Sequence, residues 1–415
     1  MNRVQKSALL SSLYFSQGLP YGVFAFALPT LLRENEVSLE IIGWARLLAL
    51  PWALKFLWAP VLDRYGSRRL GRRRGWILPL QASAVLILIS MGWVGLDSGL
   101  AVLAMIILLA NLVAATQDIA TDGLAVGLLS PEERGLGNSL QVAAYRVGII
   151  LGGGVLLVVI GKLGWTATFA CLAGALFLAS IPILRFREPP AAGGAPAAGS
   201  PARAVELLVL DLLAAVRRPA MLVWLLLLVI YKGGDAIASG MINPFLVDVG
   251  VSKEQIGLMG IIGSGSALFG AFAGGWAITR LGRRRGLLLL GLIQAVPLLG
   301  FLLAAQGWTS LGYLFALSAA EQFTGTMATV ALFTMMMDAC RPAQGGTDYT
   351  LQASVVVVAQ IGAGILSGRL ATVLGHSGNF ATSAGLSLFG ALVASAVLAV
   401  PAFRQRLLKP TGSRW

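Results

Sequence analysis

Ten ionisable side chains stand inside long apolar stretches of this 415-residue chain: Arg46, Lys55, Asp118, Asp122, Arg146, Lys232, Asp235, Glu321, Asp338 and Arg369. A charge in such surroundings is costly and needs a partner or a task. Asp118 and Asp122 are one helical turn apart, so both carboxylates share a helix face. Lys55 and Arg146 fall at similar depth in other stretches, so two acids and two bases can neutralise one another. A fixed ion-pair lock between helices and a solute-contacting or gating cluster both fit that pattern. Lys232 and Asp235 share the run YKGGDA, and their spacing makes Asp235 the nearer partner of the ammonium. Counted from Ala220 at ~1.5 Å per residue, Lys232 lies roughly 18 Å into its stretch. Glu321 reaches similar depth from the opposite end. A buried carboxylate can take up a proton and release it elsewhere, and an adjacent ammonium opposes protonation. Glu321 is therefore the better proton carrier and Asp235 the second candidate. Arg46, Asp338 and Arg369 lie near stretch ends and are expected to snorkel toward water.

The stretches that carry these charges define the class. The chain is 57% apolar and 12% charged, with a mean hydropathy of +0.81, whereas a soluble domain carries about 25% charged residues. The net charge of +13 would suit nucleic acid. The arginines, however, sit in short loops between apolar runs, so the expected partner is a lipid bilayer and not nucleic acid. Twelve runs approach the ~20 residues that a span needs: roughly 8–31, 41–62, 76–95, 99–124, 136–160, 164–184, 220–247, 255–278, 286–305, 309–336, 349–372 and 380–402, numbered here as spans 1 to 12. The first is too long for a signal-peptide core and lacks a small-residue cleavage site, so it reads as an uncleaved span. Arg64, Arg68, Arg69, Arg72, Arg73 and Arg74 follow span 2; Arg280, Arg283, Arg284 and Arg285 follow span 8; Arg404, Arg406, Lys409 and Arg414 end the chain. The opposite loops hold only Arg33, Lys162 and Lys253. Both termini are therefore expected on the cytoplasmic side. Residues 188–204, EPPAAGGAPAAGSPARA, read as a linker that cannot form a span. The expected division is 1–187, a linker at 188–217, and 218–415.

Within span 1, SQGLPYGVFAFALP carries kinking prolines at Pro20 and Pro29. Its Gln17, Tyr21, Phe24 and Phe26 can line a cavity, or the aromatics can simply pack. In span 7, Gly233 and Gly234 are expected to loosen the helix beside Lys232. Cys171 and Cys340 read as core residues without metal-ligand spacing, and His376 as a solvated residue in the loop before span 12. There is no P-loop, H-E-x-x-H, nucleophile elbow or metal cluster. Neither an enzyme, ATP-driven chemistry, a cofactor nor a metal is expected.

The two halves are related. APVLDRYG (Ala59–Gly66) after span 2 matches GWAITRLG (Gly275–Gly282) after span 8 at the Arg and the second Gly, and an Arg triplet follows each. Leu140–Gln141 similarly matches Leu351–Gln352. Parallel six-span repeats resemble the major facilitator superfamily, whose signature loop is G-x-x-x-D-R-x-G-[RK]-[RK]. That resemblance implies an all-α membrane protein of twelve transmembrane helices in two pseudo-symmetric six-helix bundles. Both copies depart from the signature: Ala59 replaces the leading Gly, an insert precedes the first Arg triplet, and Thr279 stands where the second Asp belongs. If the acid is a gating latch, Asp63 with Arg64 is the stronger copy; otherwise the arginines only set topology.

More narrowly, the chain is similar to the AmpG-related branch. The matching stretches are SQGLPYG, LPWALKFLWAPVLDRY, GRRRGW, QDIATDGLAV, ERGLGNSLQVAAYRVG, YKGGDA and GTDYTLQAS. The branch implies a secondary transporter of the bacterial inner membrane, working as a monomer on a small-molecule solute. The compact length and the LLALPWALKFLWAP run look more like RhtX/FptX-type siderophore permeases than AmpG permeases for anhydro-muropeptides. An exporter is disfavoured because span 5 has Gly148, Gly152, Gly153 and Gly154 but no Gly-Pro motif. A sensor or scaffold would need a soluble signalling domain. With no nucleotide site, protons are the expected coupling partner. The solute-contacting set is Gln17, Tyr21, Lys55, Gln141, Tyr145, Arg146, Tyr231 and Lys232. The proton-coupling pair is Glu321 and Asp235, and the gating set is Asp63, Arg64, Asp118 and Asp122.

Overall fold

The computed structural model describes residues 1–28, 31, 48, 50–67, 69–95, 99–188, 201–218 and 220–408. Among them, eight helices are long and apolar enough to cross a membrane. Arg74–Val94, Ala101–Leu128, Arg134–Leu163 and Trp165–Arg185 are spans 3 to 6, and Met221–Asp248, Glu254–Leu281 and Arg283–Ala305 are spans 7 to 9. Gly345–Ala399 is two spans in one run, because Gly375 at φ 69° and ψ 177° leaves helical geometry between spans 11 and 12. Leu311–Asp338, with 28 residues, supplies span 10. Span 1 runs from Arg3 to Gly22 and continues through a π-turn, Val23–Ala27. The order is the twelve-helix order of the superfamily. Arg33, Arg46, Pro29, Arg68, Lys409, Arg414 and residues 189–200 lie outside the described residues, as does the Phe26 side chain.

Span 2 is not a continuous helix where it is described. Leu50–Leu54 gives way to a 3-10 turn, Lys55–Leu57, and then to Ala59–Arg64. Pro60 has no N–H to bond into the preceding turn, so Trp58 takes φ −110° and ψ 1° and the helix restarts. The interruption falls at Lys55. Span 7, where Gly233 and Gly234 were expected to loosen the helix, is instead unbroken from Met221 to Asp248. Gly234 serves close packing: a Cβ there would run into the Ser383 carbonyl and the Ser387 hydroxyl of span 12.

Chain contacts divide the molecule into two units. The first comprises Met1–Leu128, Ala143–Leu213 and Pro342–Ser354; the second comprises Leu129–Val142, Ala214–Arg341 and Val355–Trp415. In the first unit, spans 1 and 5 cross closely because Gly18 and Gly22 meet the Tyr145 and Ile149 carbonyls while Gly148 and Gly152 meet the backbone of residues 15–19. Both helices carry π-turns at this crossing, Val23–Ala27 and Leu151–Val155, and the two turns are in contact. Leu19, Val23, Leu28, Leu88, Met91, Ile107, Phe169 and Leu176 form the core beside it. The Glu188 carboxylate caps span 3, accepting the Arg73 and Arg74 backbone N–H groups at 2.8 Å each. The second unit is centred on Phe245, Phe301, Phe380, Met259, Leu298 and Leu314.

Several sequence expectations change here. Within the expected linker, Pro201–Val216 is a helix, at 16 residues too short for a span. Cys340 is buried but Cys171 is exposed, on the outer face of span 6. His376 is not a loop residue. It follows the Gly375 break inside the span 11–12 run, places Nε2 2.7 Å from Asp248 Oδ2, and sits 5.3 Å from the Phe245 ring.

Candidate functional site

In the first unit, the interrupted span 2 brings Lys55 onto Asp118 of span 4 as a buried ion pair. The same ammonium lies 5.4 Å above the Trp52 ring, and the Trp52 indole N–H donates to Asn111 at 2.9 Å. Asp122, one turn beyond Asp118, accepts the Tyr14 hydroxyl at 2.8 Å. The two aspartates thus take different partners, and neither faces lipid. Tyr21 touches both Trp52 and Tyr145, with ring centroids 5.9 and 5.8 Å apart. Arg146 is half-buried on the next position of span 5.

Beside this cluster runs a cleft along span 1. Its deep end, lined by Ser16, Gln17, Gln117 and Pro20, has free room for about 20 Å³, the space of a single water. Its outer end, lined by Tyr21, Phe24, Trp52 and Asn111, has a similar free volume of about 20 Å³, and the two ends share Pro20, Leu88, Ala110 and Ala114. Gln81 and Gln117 both donate to the Ser16 hydroxyl at 3.0 Å. Gln17 is 1% exposed, yet neither atom of its carboxamide has a hydrogen-bond partner among the described residues. A buried amide left this way costs free energy unless something else satisfies it. The cleft can therefore hold a polar group at its deep end and a ring face at its aromatic end.

In the second unit, Lys232 donates to Asp235 at 2.6 Å and to the Thr329 hydroxyl at 3.0 Å. Glu321 accepts from Gln322 at 3.0 Å. A Cβ placed on Gly325 would lie 3.1 Å from Asp235 Oδ1 and 3.9 Å from Glu321 Oε1, so both carboxylates flank that one glycine. Tyr231 turns away from this group and donates to the Leu287 carbonyl at 3.0 Å. Gln141 is buried in the opening turns of span 5, which group with this unit, whereas Tyr145 and Arg146 group with the first.

The arginine loops hold two further acids. Asp63 pairs with Arg73 and accepts the Thr347 N–H and hydroxyl at 2.6 and 2.5 Å, in the first turn of span 11. A carboxylate there satisfies orphan amides and complements the helix dipole. Arg64 donates to Asp211 at 2.5 Å, which holds its guanidinium above the ordinary range, and Gln344 reaches the same carboxylate at 3.0 Å. Burial, with the Arg73 charge beside it, pulls Arg72 down. In the second unit, Thr279 only bonds back to the Gly275 carbonyl of its own helix. The acid missing from the second signature is supplied by Asp338. It was expected to snorkel but is 0% exposed, held by Arg134 and Arg283 at 2.6 Å each. Arg283 also donates to the Pro131 carbonyl. Tyr14, Arg134, Asp211 and Thr347 were not singled out in the sequence. Only Arg134 offered a signal, a charge at the opening of span 5.

The geometry can now be set beside known proteins. The family described as Major Facilitator Superfamily matches residues 230–415, and that described as Acetyl-coenzyme A transporter 1 matches residues 6–98. The human organic anion transporter MFSD10 (TETRAN) superposes with a TM-score of 0.71 over 95% of this chain and 100% of that one, at 17% identity, which is a likeness of fold alone. The "Anhydromuropeptide permease" of Escherichia coli K12 is 30% identical over 384 residues, 90% of this chain and 75% of the permease. An uncharacterized protein of Haemophilus influenzae is 32% identical over 383 residues, 87% of each chain. The chain is a multi-span membrane transporter of the major facilitator superfamily, a secondary transporter and not an enzyme. Within that superfamily it belongs to the AmpG-related branch.

Proposed function

We propose that this chain imports anhydro-muropeptides across the bacterial inner membrane as a proton-coupled monomer, with both termini in the cytoplasm. The carrying observation is the 30% identity to the Escherichia coli anhydromuropeptide permease over 90% of the chain. The siderophore preference drawn from compact length and the LLALPWALKFLWAP run yields to that relative. The side chains along the cleft match the chemistry of such a cargo, with amides at Gln17 and Gln117 for neutral polar groups and rings at Tyr21 and Trp52 for a sugar or peptide face, and the cleft must open from its present ~20 Å³ to admit it. In the first unit Lys55 and Arg146 supply positive charge for carboxylates and Tyr145 adds a ring beside Tyr21; in the second, Lys232 supplies charge, with Gln141 and Tyr231 as the remaining proposed contacts. Glu321 and Asp235 carry the coupling proton. Asp63 and Arg64 latch the signature loop, while Asp118 and Asp122 transmit occupancy of the cleft through span 4.

As the solute enters, its carboxylate competes with Asp235 for Lys232. The released acid and Glu321 beside it then have reason to bind a proton. The halves rock with solute and proton both aboard, and the order reverses on the other side. The test is uptake of radiolabelled anhydro-muropeptide and of a labelled ferric siderophore, in cells whose own permeases for both are deleted. Muropeptide accumulation dependent on this chain supports the proposal. Accumulation of the siderophore alone returns the substrate to the other class, and net efflux of either makes the chain an exporter.

A further inference from the structure

The helix Pro201–Val216 has no task in the transport cycle described above, yet its composition is unusual for an exposed segment. Sixteen residues at ~1.5 Å each give a rod of roughly 24 Å, short of the ~30 Å hydrocarbon core. On its described surface, Val209, Leu210 and Leu213 are 49%, 50% and 38% exposed, while Asp211 is 8% exposed and Ala215 is 0%. At 100° per residue the three apolar side chains fall on one stripe, and exposed Arg217 follows directly after the last helical residue. Asp211 lies on the other side of the rod, bound to Arg64 and Gln344. A helix beside water would present polar residues where this one presents leucine and valine.

What covers the stripe follows from where it lies in the chain. Span 7 begins at Met221, five residues after the helix ends, and its first turns expose Leu222, Val223 and Leu226 at 62%, 45% and 58%. Those side chains belong to a membrane helix, and only residues 217–220 of the chain separate it from Pro201–Val216, so the end of the short helix is tethered to the membrane surface. Arg217, at the join, has the long stem and charged head that bridge acyl chains and anionic headgroups.

We infer that Pro201–Val216 lies in the plane of the leaflet on the arginine-rich side, its Val209–Leu210–Leu213 stripe immersed at the headgroup–acyl boundary and its Asp211 face gripping Arg64. The lipid surface thereby anchors the residue that holds the signature loop. A second copy of the chain or a soluble protein are the other possible covers, and the experiment separates them.

The full chain is used with Cys171→Ser; Cys340 is 0% exposed and stays. Single cysteines at Val209→Cys and Leu213→Cys are spin-labelled, with Thr309→Cys as an aqueous control. Each protein is reconstituted into vesicles of phosphatidylcholine and phosphatidylglycerol. Collision with oxygen, which partitions into lipid, is compared with collision with a water-soluble nickel chelate. The expected result is an oxygen-to-nickel ratio at 209 and 213 above that at 309. A ratio at 209 and 213 equal to that at 309 places the stripe in water and overturns the inference. Exclusion of both reagents places it against protein and overturns it equally. Both labels sit on exposed positions, and a monodisperse elution profile for either one suffices to read the result.

Discussion

Among the described residues, a lysine–aspartate pair stands within the spans of each unit, and the two pairs are built differently. Lys55 and Asp118 come from different helices, and the pair forms where span 2 is interrupted. Lys232 and Asp235 lie on one unbroken helix, a single turn apart. The first pair ties two helices together, so breaking it strands a buried charge in a seam between them. The second lies within one continuous helix, and Lys232 carries a further bond from it to the Thr329 hydroxyl of span 10. Lys232 thus has a second partner besides Asp235, and Glu321 lies near the same glycine, Gly325, as Asp235 does. One pair is suited to hold the bundle and the other to exchange partners.

The largest expected effect comes from Asp118→Asn, which leaves the Lys55 ammonium uncompensated. Removing one member of a buried pair costs about 3–5 kcal/mol. A large fall in the detergent unfolding midpoint is expected, with uptake lost along with the fold. Asp235→Asn, which leaves Lys232 its bond to Thr329, should keep more of that midpoint and still lose accumulation. Equal destabilisation by the two substitutions would erase the distinction. The double replacement Lys55→Met with Asp118→Leu sharpens it: stability should recover toward wild type, since a well-packed apolar pair often replaces a buried ion pair at little cost. Lys232→Met with Asp235→Leu should fold and remain unable to concentrate solute. The smallest effect is expected at Gln17→Leu. It removes a buried carboxamide without a partner among the described residues, so the midpoint should hold or rise by about 1 kcal/mol equivalent, while the Michaelis constant for uptake rises. A destabilised Gln17→Leu would assign that amide to structure and not to cargo.

The span count, the two related halves and the charges inside the membrane were legible because each is local: a run length, a repeated loop, an acid in an apolar stretch. The Lys232–Asp235 pairing was legible for the same reason, being set by spacing on one helix. Partners brought from afar were not. Nothing near Asp338 announces Arg134, which lies 204 residues earlier in the chain, so a carboxylate at a span end looked like one that snorkels. Tyr14 on Asp122 and Thr347 on Asp63 are hidden in the same way, by sequence separations of 108 and 284 residues. The break in span 2 did have a signal, Pro60 beside Lys55, but hydropathy averages across a proline and reads one continuous span. The glycines of span 7 misled in the opposite sense, since a glycine that loosens a helix and one that admits a neighbour are the same letter.

The exchange assigned to the second unit is tested most directly by solute accumulation in proteoliposomes under an imposed pH gradient, comparing wild type with Glu321→Gln and using labelled anhydro-muropeptide. Wild type should concentrate the solute only when the outside is acidic, and Glu321→Gln should equilibrate it without concentrating it. Wild-type accumulation indifferent to the gradient, or a Glu321→Gln variant that still concentrates solute, would contradict the account.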